Sequence, residues 1–377
     1  MPTTSDEFPL DEGLIYLNHA AVSPWPKRTA EAVKAFADEN MRLGSQHYPE
    51  WMRVERELRA RLAHLIHADS DEVALLKNTS EGLSLVAVGI DWQAGDNIVS
   101  IDQEFPSNRI VWESLKAQGV ELRKADLSGD DPEGTMLELA DERTRLMAVS
   151  SVQYGTGLRM DLARLGSFCK ERDIFFCVDA IQSLGALQFD LQSIHADAVI
   201  ADAHKWMLGP EGIALFYVSP AWRKRLKLTQ FGWHMVERAG DFDALEWQPA
   251  RSARRFEPGS PNMLGIHALN ASLSLLEEVG MDLVERELLA RSARLIDLID
   301  ADDRLQLVTP REQLRHAGIV TFRVSTLDAA GHAELWRKLM GRGVICANRA
   351  GGIRFSPHFY TPFEKIEDAF EVVFQSS

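Results

Sequence analysis

The middle of this sequence repeats one unit, a short apolar run followed by a helix-compatible segment, and that repeat predicts an α/β fold. Apolar runs occur at residues 73–76, 98–101, 146–149, 174–178, 198–201 and 213–218. Segments suited to helices separate several of them, such as residues 106–118 and 161–172. Strands that alternate with helices form βαβ units, whose parallel sheet is buried on both faces. We therefore expect a mostly parallel central sheet.

The pattern changes in the C-terminal part of the chain. Few periodic apolar positions occur between residues 228 and 261, and helical spacing returns at 264–279 and 283–299. The remaining apolar pattern indicates strand, helix, strand, strand and helix at 319–324, 329–340, 344–347, 353–355 and 362–374. We expect a large α/β domain over residues 15–280 and a smaller α+β domain over 281–377. Residues 1–14 are expected to pack against the smaller domain.

The composition excludes several classes of protein. The chain has 377 residues, with 41 Lys and Arg against 56 Asp and Glu, and a formal net charge of −15. An acidic chain is a poor ligand for nucleic acid, and no apolar stretch is long enough for a membrane span. The cysteines, Cys169, Cys177 and Cys346, are too few for a disulfide framework. With no apolar segment near the N-terminus, we expect a cytoplasmic protein without nucleic-acid or membrane partners.

Polar residues follow the predicted strands, where ligands of open α/β sheets bind. A helix N-terminus rich in hydroxyl groups suits a phosphate, although Thr and Ser are also ordinary helix caps. A lysine held at this edge can have its pKa lowered, as the amine of a Schiff base needs. Together the residues suit an aldehyde cofactor that bears a phosphate and a protonatable ring nitrogen. They are Thr79, Ser80, Phe105, Tyr154, Asp179, Gln182, Asp202, His204 and Lys205.

These motifs resemble the class V aminotransferase family of pyridoxal-phosphate enzymes, in the branch of cysteine desulfurases and isopenicillin-N-epimerase-like proteins. The resemblance rests on residues 178–182 (VDAIQ), 202–206 (DAHKW) and 209–212 (GPEG). Residues 255–262 (RFEPGSPN) and 353–357 (IRFSP) match two further blocks, and the likeness begins near residues 16–21. It implies the fold type I architecture and a homodimer whose subunits share active sites.

The resemblance also implies a role for each matched residue. Lys205 would carry pyridoxal 5′-phosphate as a Schiff base, and Asp179 would pair with the protonated ring nitrogen. Gln182 would bond the ring hydroxyl, and Phe105 would stack on the ring unless it is an ordinary core residue. The phosphate would be bound by Thr79, Ser80 and His204, with Ser260 of the neighbouring subunit. The substrate α-carboxylate would pair with Arg354. Apart from the resemblance, His19 is a candidate for the substrate side, as are His47, Tyr154 and His234, unless they are ordinary interface or surface residues.

The sequence departs from the family pattern at three points. Asp202 stands where related enzymes carry a phosphate-binding serine, and Tyr154 stands where an asparagine is common. The loop with a nucleophilic cysteine that desulfurases insert before the carboxylate-binding arginine is missing. Cys346 lies within an apolar strand pattern, where a buried structural thiol is the favoured interpretation.

We therefore expect a pyridoxal-phosphate-dependent transferase or lyase that acts on a small amino acid, with aminotransferase-like chemistry favoured. A C–S lyase or cysteine desulfurase-like activity and an epimerase are the alternatives on the same scaffold. A nicotinamide-dependent oxidoreductase is more remote, because residues 155–160 lack the third glycine of the dinucleotide fingerprint. A non-catalytic relative of the same fold is the other remote alternative. No metal is expected, since His195, Asp197, Asp202 and His204 match no standard ligand spacing.

Overall fold

The computed structural model describes residues 4–376 of the chain. Within that range the α-helices are α1 Thr4–Glu7, α2 Lys27–Leu43, α3 Tyr48–Leu65, α4 Thr79–Gly89, α5 Ser107–Glu113, α6 Pro132–Glu138, α7 Leu162–Glu171, α8 Leu191–Ile194, α9 Pro220–Arg225, α10 Met263–Val279, α11 Met281–Asp300, α12 Ala329–Gly341 and α13 Phe363–Ser376. The strands are β1 Ile15–Tyr16, β2 Val73–Leu76, β3 Asn97–Ile101, β4 Glu121–Ala125, β5 Thr144–Ser150, β6 Phe175–Asp179, β7 Ala198–Asp202, β8 Ala214–Val218, β9 Leu305–Leu307, β10 Val320–Val324, β11 Val344–Ile345, β12 Ala347–Arg349 and β13 Gly352–Phe355.

The central sheet has seven strands in the order β2-β8-β7-β6-β5-β3-β4. Neighbouring strands from β4 to β7 run parallel, whereas β8 is antiparallel to both β7 and β2. The six predicted apolar runs become β2, β3 and β5–β8, with ends displaced by about two residues at most, as is usual for boundaries read from sequence. The prediction of a mostly parallel sheet is confirmed.

One strand of this sheet, β4, was not predicted. It is the edge strand, and only Ala125 of its five residues is buried. An edge strand exposes charged side chains to water, so its sequence, ELRKA, contains no apolar run. The expected pattern of a strand buried on both faces does not apply there.

Both faces of the sheet are covered by helices. Side chains from successive strand positions pack into different clusters, as the period of two requires. On one face Val149 and Val178 pack with Leu62 of α3. On the other face Ala148 and Cys177 share a cluster with Val86 of α4. These two layers hold the carboxyl ends of the strands in a fixed arrangement.

The C-terminal strands form a separate antiparallel sheet in the order β12-β13-β10-β9. The expectation of a single strand over residues 344–347 is wrong, because the chain divides there between two partners. β11 pairs in parallel with β1, with Ile15 opposite Val344, whereas β12 pairs with β13. The division into domains at residues 280 and 281 stays a prediction.

The N-terminal segment contacts elements from both ends of the chain. The ring of Phe8 stacks on Tyr360 at 3.4 Å between centroids, and Glu7 forms an ion pair with Arg28 of α2. Residues 1–3, part of the segment expected to pack on the smaller domain, and Ser377 lie outside the described residues. Within residues 4–376, every helix is too short or too polar to cross a membrane.

Candidate active site

A cavity of about 330 Å³ opens at the carboxyl ends of the central strands. All but two of the predicted site residues line it. These are Thr79, Ser80, Phe105, Asp179, Gln182, His204, Lys205 and Arg354. Most of them lie at or after the carboxyl ends of central strands, which the parallel sheet brings to the same edge, whereas Arg354 comes from β13 of the C-terminal sheet.

Lys205 lies in the turn that follows β7 and is 8% exposed. Its backbone carbonyl accepts a hydrogen bond from the Ser23 hydroxyl at 2.6 Å, which holds the turn. Burial lowers the pKa of the amine to about 8, against the opposing effect of the Asp179 charge. At pH 7 about a tenth of this amine is therefore uncharged, in the form that a nucleophile requires.

Asp179 is the last residue of β6 and is 2% exposed. One carboxylate oxygen accepts the backbone N–H of Ile181 at 3.0 Å. Burial raises the pKa of this carboxyl to about 6, while the Lys205 charge opposes the shift. A cationic partner in the cavity would lower the cost of its charge, because a neighbouring opposite charge favours the ionised form.

Gln182 is oriented by two bonds to other loops. Its side-chain oxygen accepts the indole N–H of Trp206 at 2.8 Å, and its amide nitrogen donates to the Ala20 carbonyl at 3.1 Å. The loops approach closely at Gly185, which has φ +90°; a Cβ there would lie 2.3 Å from the Trp206 carbonyl oxygen. One amide hydrogen of Gln182 is left for a ligand, since an amide nitrogen carries two.

The aromatic side of the cavity is formed by Phe105 and Tyr154, whose rings meet edge to face at 5.2 Å. Phe105 is 42% exposed, so it is not an ordinary core residue in this chain. The Lys205 amine lies 5.7 Å from the centre of its ring. The aromatic face is therefore open to a flat ligand beside the amine.

At the amino end of α4, the polar groups are hydroxyls, a histidine and a carboxylate. Asn78 caps the helix by accepting the backbone N–H of Glu81 at 2.9 Å. A Cβ at Gly82 would lie 2.9 Å from a side-chain carbon of Ile200, so the glycine lets α4 pack closely on β7. Burial lowers the pKa of His204 to about 4, which keeps the imidazole neutral at pH 7. Its Nδ1 is buried and has no hydrogen-bond partner among the described residues.

At the other end of the cavity lie Arg354 and Arg349. Arg354, on β13, donates to the Tyr154 carbonyl at 2.7 Å and to the Asn18 side chain at 3.4 Å. Burial, and secondarily the charge of Arg349, lowers its pKa to about 10. Its Nε is buried without a partner among the described residues, an arrangement that calls for an acceptor on a ligand.

Sequence reasoning missed Arg349. It precedes the turn at residues 350–351 between β12 and β13, so its distance from Arg354 in sequence gives little sign of a shared site. The signal that could have found it is a β-hairpin that pairs residues 347–349 with 352–354. Ala347 lies opposite Arg354 in that hairpin, so Arg349, two residues further along the strand, is on the same face as Arg354.

Ser260 and His19 do not line this cavity. Ser260 is exposed, in the segment before α10. His19 is fully buried: its Nδ1 donates to the Ser356 carbonyl at 2.9 Å, and its Nε2 accepts the Tyr360 hydroxyl at 2.7 Å. Its ring lies against Trp206, so it contacts the residue that follows Lys205 rather than the open cavity.

His358, which the sequence did not point to, completes this buried layer. Its Nδ1 accepts the Phe359 backbone N–H at 2.8 Å, so its Nε2 is the donor to the Trp206 carbonyl at 3.1 Å. Burial holds its pKa well below the usual range. The bond from neutral His358 to the Trp206 carbonyl thus helps to hold the turn that carries Lys205.

Cys346 is a core thiol. It is 2% exposed and packs with Phe355 and Leu339, and burial raises its pKa to about 12. A thiol with this pKa is almost wholly protonated at neutral pH and a poor nucleophile. The interpretation of Cys346 as a structural thiol agrees with this burial.

A separate acidic cluster lies outside the cavity. Ligand atoms of Glu55, His234 and Glu257 come within 4.8 Å of one another. The guanidinium of Arg59 lies between the carboxylates and bonds both of them. The cluster is an ion-pair network that joins α3 to the segment before α10.

Comparison with known proteins identifies the family. The family model described as aminotransferase class-V matches residues 15–368. The chain belongs to the class V aminotransferase family. Members of that family depend on pyridoxal phosphate, and the chain is an enzyme of the transferase or lyase kind. The predictions of family, fold and cofactor are confirmed.

Relatives within the class V aminotransferase family carry several activities. A probable cysteine desulfurase of Pyrococcus abyssi is 31% identical over 96% of this chain and 94% of its own length. The isopenicillin N epimerase of Streptomyces clavuligerus is 30% identical, over 95% of this chain and 94% of its own. The apo structure of a cysteine desulfurase from Thermococcus onnurineus superposes with a TM-score of 0.86 at 25% identity, over 99% of this chain and 97% of that one.

Proposed function

We propose that the chain is an aminotransferase-like enzyme that acts on a small amino acid in the cavity between Lys205 and Arg354. The observation that carries the proposal is the buried amine of Lys205 in the same cavity as the buried carboxylate of Asp179 and the guanidinium of Arg354, whose Nε has no partner among the described residues. The residues fit pyridoxal phosphate. Lys205 would hold it covalently through its amine, Asp179 would keep a proton at its ring nitrogen, and Gln182 would bond its ring hydroxyl.

The amino acid then binds with its carboxylate on Arg354, which has N–H groups free for a charge-assisted pair. When bound, the cofactor withdraws electrons from the substrate Cα and makes its proton acidic. The free amine of Lys205 would take that proton as general base. The lowered pKa of Lys205 suits this step, because the free amine is available near neutral pH.

The positions of the three cysteines favour transamination over transfer of sulfur to the enzyme. Cys169, Cys177 and Cys346 are all buried, and none is among the described residues that line the cavity. Without a reactive thiol beside the substrate, the chain lacks the acceptor for a persulfide. A C–S lyase that releases sulfide directly, and an epimerase that returns the proton to Cα, are the alternatives.

We also propose a cytoplasmic homodimer in which Ser260 completes the phosphate site of the neighbouring subunit. Exposed aromatic side chains near this segment support it: Phe231, Trp233, Phe242 and Trp247. The three free cysteines are consistent with a reducing compartment. Light scattering should give the mass of a dimer, and the Ser260→Ala variant should bind the cofactor more weakly without losing that mass.

The central test is chemical. The purified protein should show the yellow absorbance of bound pyridoxal phosphate, and borohydride should attach the cofactor to the peptide that contains Lys205. Lys205→Ala should abolish turnover, whereas Lys170→Ala, at an exposed lysine of α7, should not. Unaltered turnover in Lys205→Ala would exclude the mechanism. Keto-acid, sulfide or inverted amino acid as the product distinguishes the three reactions.

A further inference from the structure

The carboxylate of Asp202 occupies the donors that a phosphate at the amino end of α4 would use. The Thr79 backbone N–H and, at 3.2 Å, the Thr79 hydroxyl both donate to the same Asp202 oxygen. The Asp202 backbone N–H donates to the Thr79 hydroxyl oxygen at 3.2 Å. The Asp202 side chain is 14% exposed and lines the cavity.

The surroundings of this carboxylate are poor in positive charge. Asp179 from β6 repels it and Lys205 attracts it, while Thr79 from α4 provides neutral donors. His204 lies 3.4 Å away and is neutral at pH 7. Burial raises the pKa of Asp202 to about 6. A phosphate dianion placed beside Asp202 would raise this pKa further, because a like charge disfavours ionisation.

We propose that Asp202 couples phosphate binding in this cavity to the uptake of one proton. The carboxylate is bound to Thr79 in the free protein. When the phosphate is bound, the carboxyl takes a proton from solvent, releases the Thr79 N–H and donates its O–H to a phosphate oxygen. No other bond forms or breaks. The proposal rests on the proposed function, since the phosphate is that of the cofactor.

Calorimetry can count this proton. Pyridoxamine 5′-phosphate lacks the aldehyde and cannot react with Lys205, so it reports binding alone, and pyridoxamine is the control without phosphate. Titrations of the apo-protein at pH 7.5 in buffers of different ionisation enthalpy give the protons taken up. The wild type should take up about one more proton with the phosphate compound, and its affinity should fall about tenfold per pH unit above pH 7.

Variants assign the proton to its residue. Asp202→Asn should remove the extra proton and the pH dependence, and Asp202→Ser provides a second variant if the first is unstable. Asp102→Asn, at an exposed carboxylate after β3, should behave as the wild type. An extra proton that persists without Asp202, or a phosphate compound that binds with none, would overturn the proposal and leave the proposed function intact. Absence of binding to any of these proteins would overturn both.

An independent observation at the other end of the cavity concerns the substrate. Arg349 is exposed and lines the cavity at the Arg354 end. Among the described residues its guanidinium has no carboxylate within ion-pair distance, and it donates to the Asn348 carbonyl at 2.8 Å. Its charge lowers the pKa of both Lys205 and Arg354, so it acts on both ends of the substrate position. In the loaded site, the α-carboxylate would pair with Arg354, and the exposed guanidinium of Arg349 would remain available to a second anionic group on the substrate.

We infer that the substrate side chain ends in a second anionic group, a carboxylate or a sulfinate, that pairs with Arg349. This deepens the proposed function and rests on it. Aspartate against asparagine and glutamate against glutamine are isosteric pairs that differ in this charge. The wild type should favour the acid of at least one pair by about tenfold or more in kcat/KM, the worth of one charge-assisted bond.

The Arg349→Gln variant should lose that ratio, whereas Arg349→Lys should keep part of it because the charge remains. Arg342→Gln, at an exposed arginine of the same region, is the matched control. Equal use of acid and amide by the wild type, or an equal loss for both in Arg349→Gln, would overturn the assignment. Loss of the borohydride-fixed cofactor on Lys205 would instead mark a failure of the proposed function.

Discussion

The two ends of the cavity are both expected to bind anions, and they are built from different chemistry. The carboxylate end has two guanidinium groups, Arg349 and Arg354, and no carboxylate lines it among the described residues. The phosphate end has hydroxyls, a neutral histidine and the carboxylate of Asp202. A fixed charge holds a small, exchanging ligand strongly in a buried site. Neutral donors would suffice at the phosphate end if Lys205 anchors the cofactor as proposed, because that bond would keep the phosphate at high local concentration.

Arg354→Gln is the change with the largest expected effect at the carboxylate end. It removes two charge-assisted hydrogen bonds of about 1.5–3 kcal/mol each, so kcat/KM should fall between about 100-fold and 10,000-fold. The yellow absorbance of the bound cofactor should be retained. Steady-state kinetics and the absorbance spectrum measure the two quantities. A variant that lost the cofactor as well would show that the two ends are not independent.

The pH dependence of the reactivity of the Lys205 amine tests the part of the cavity between its two ends. Its pKa is lowered to about 8, so the reactive free amine increases as the pH rises. The rate of reaction of the apo-protein with pyridoxal, which has no phosphate, should rise about tenfold per pH unit below pH 8 and level off above it. Stopped-flow absorbance measures this rate. A plateau reached only near pH 10 would mean that burial does not control this amine.

Thr79→Ala should act at the phosphate end alone. It removes one neutral hydroxyl, worth about 1 kcal/mol, so cofactor affinity should weaken by less than about tenfold. The KM for the amino acid should stay unchanged in protein saturated with cofactor. Ser84→Ala, at a surface hydroxyl of the same helix, is the control. An effect as large as that of Arg354→Gln would contradict the contrast between the two ends.

Cys346→Ala should have the smallest effect on activity. The thiol is buried in the C-terminal core and does not line the cavity, so turnover should change by less than about twofold, while the lost packing costs about 1 kcal/mol of stability. Product assays and thermal unfolding measure the two effects. Loss of sulfide release with retained folding would instead assign Cys346 a role in sulfur chemistry.

The predicted strands and site residues differ in how far the sequence could specify them. Apolar runs located six of the seven central strands, because strands buried on both faces must be continuously apolar. β4 was not predicted because an edge strand does not have to be continuously apolar. Lys205 and Asp179 could be placed at the sheet edge because each lies at or within a few residues of the end of such a strand. Arg349 and His358 could not be found in this way, since their positions depend on a hairpin and on loop packing.

The sequence by itself determined the order of strands and helices, the family and the residues that follow each central strand, because local patterns of apolar and polar residues record which surfaces are buried. Only the tertiary structure decided which of these residues meet. It brought Arg349 beside Arg354 and withdrew His19 behind Trp206. It also placed the Asp202 carboxylate where it accepts a hydrogen bond from the Thr79 backbone N–H. The physical reason is that charge, burial and hydrogen bonding act through distances between atoms, and residues 123 positions apart become neighbours only when the sheet is formed.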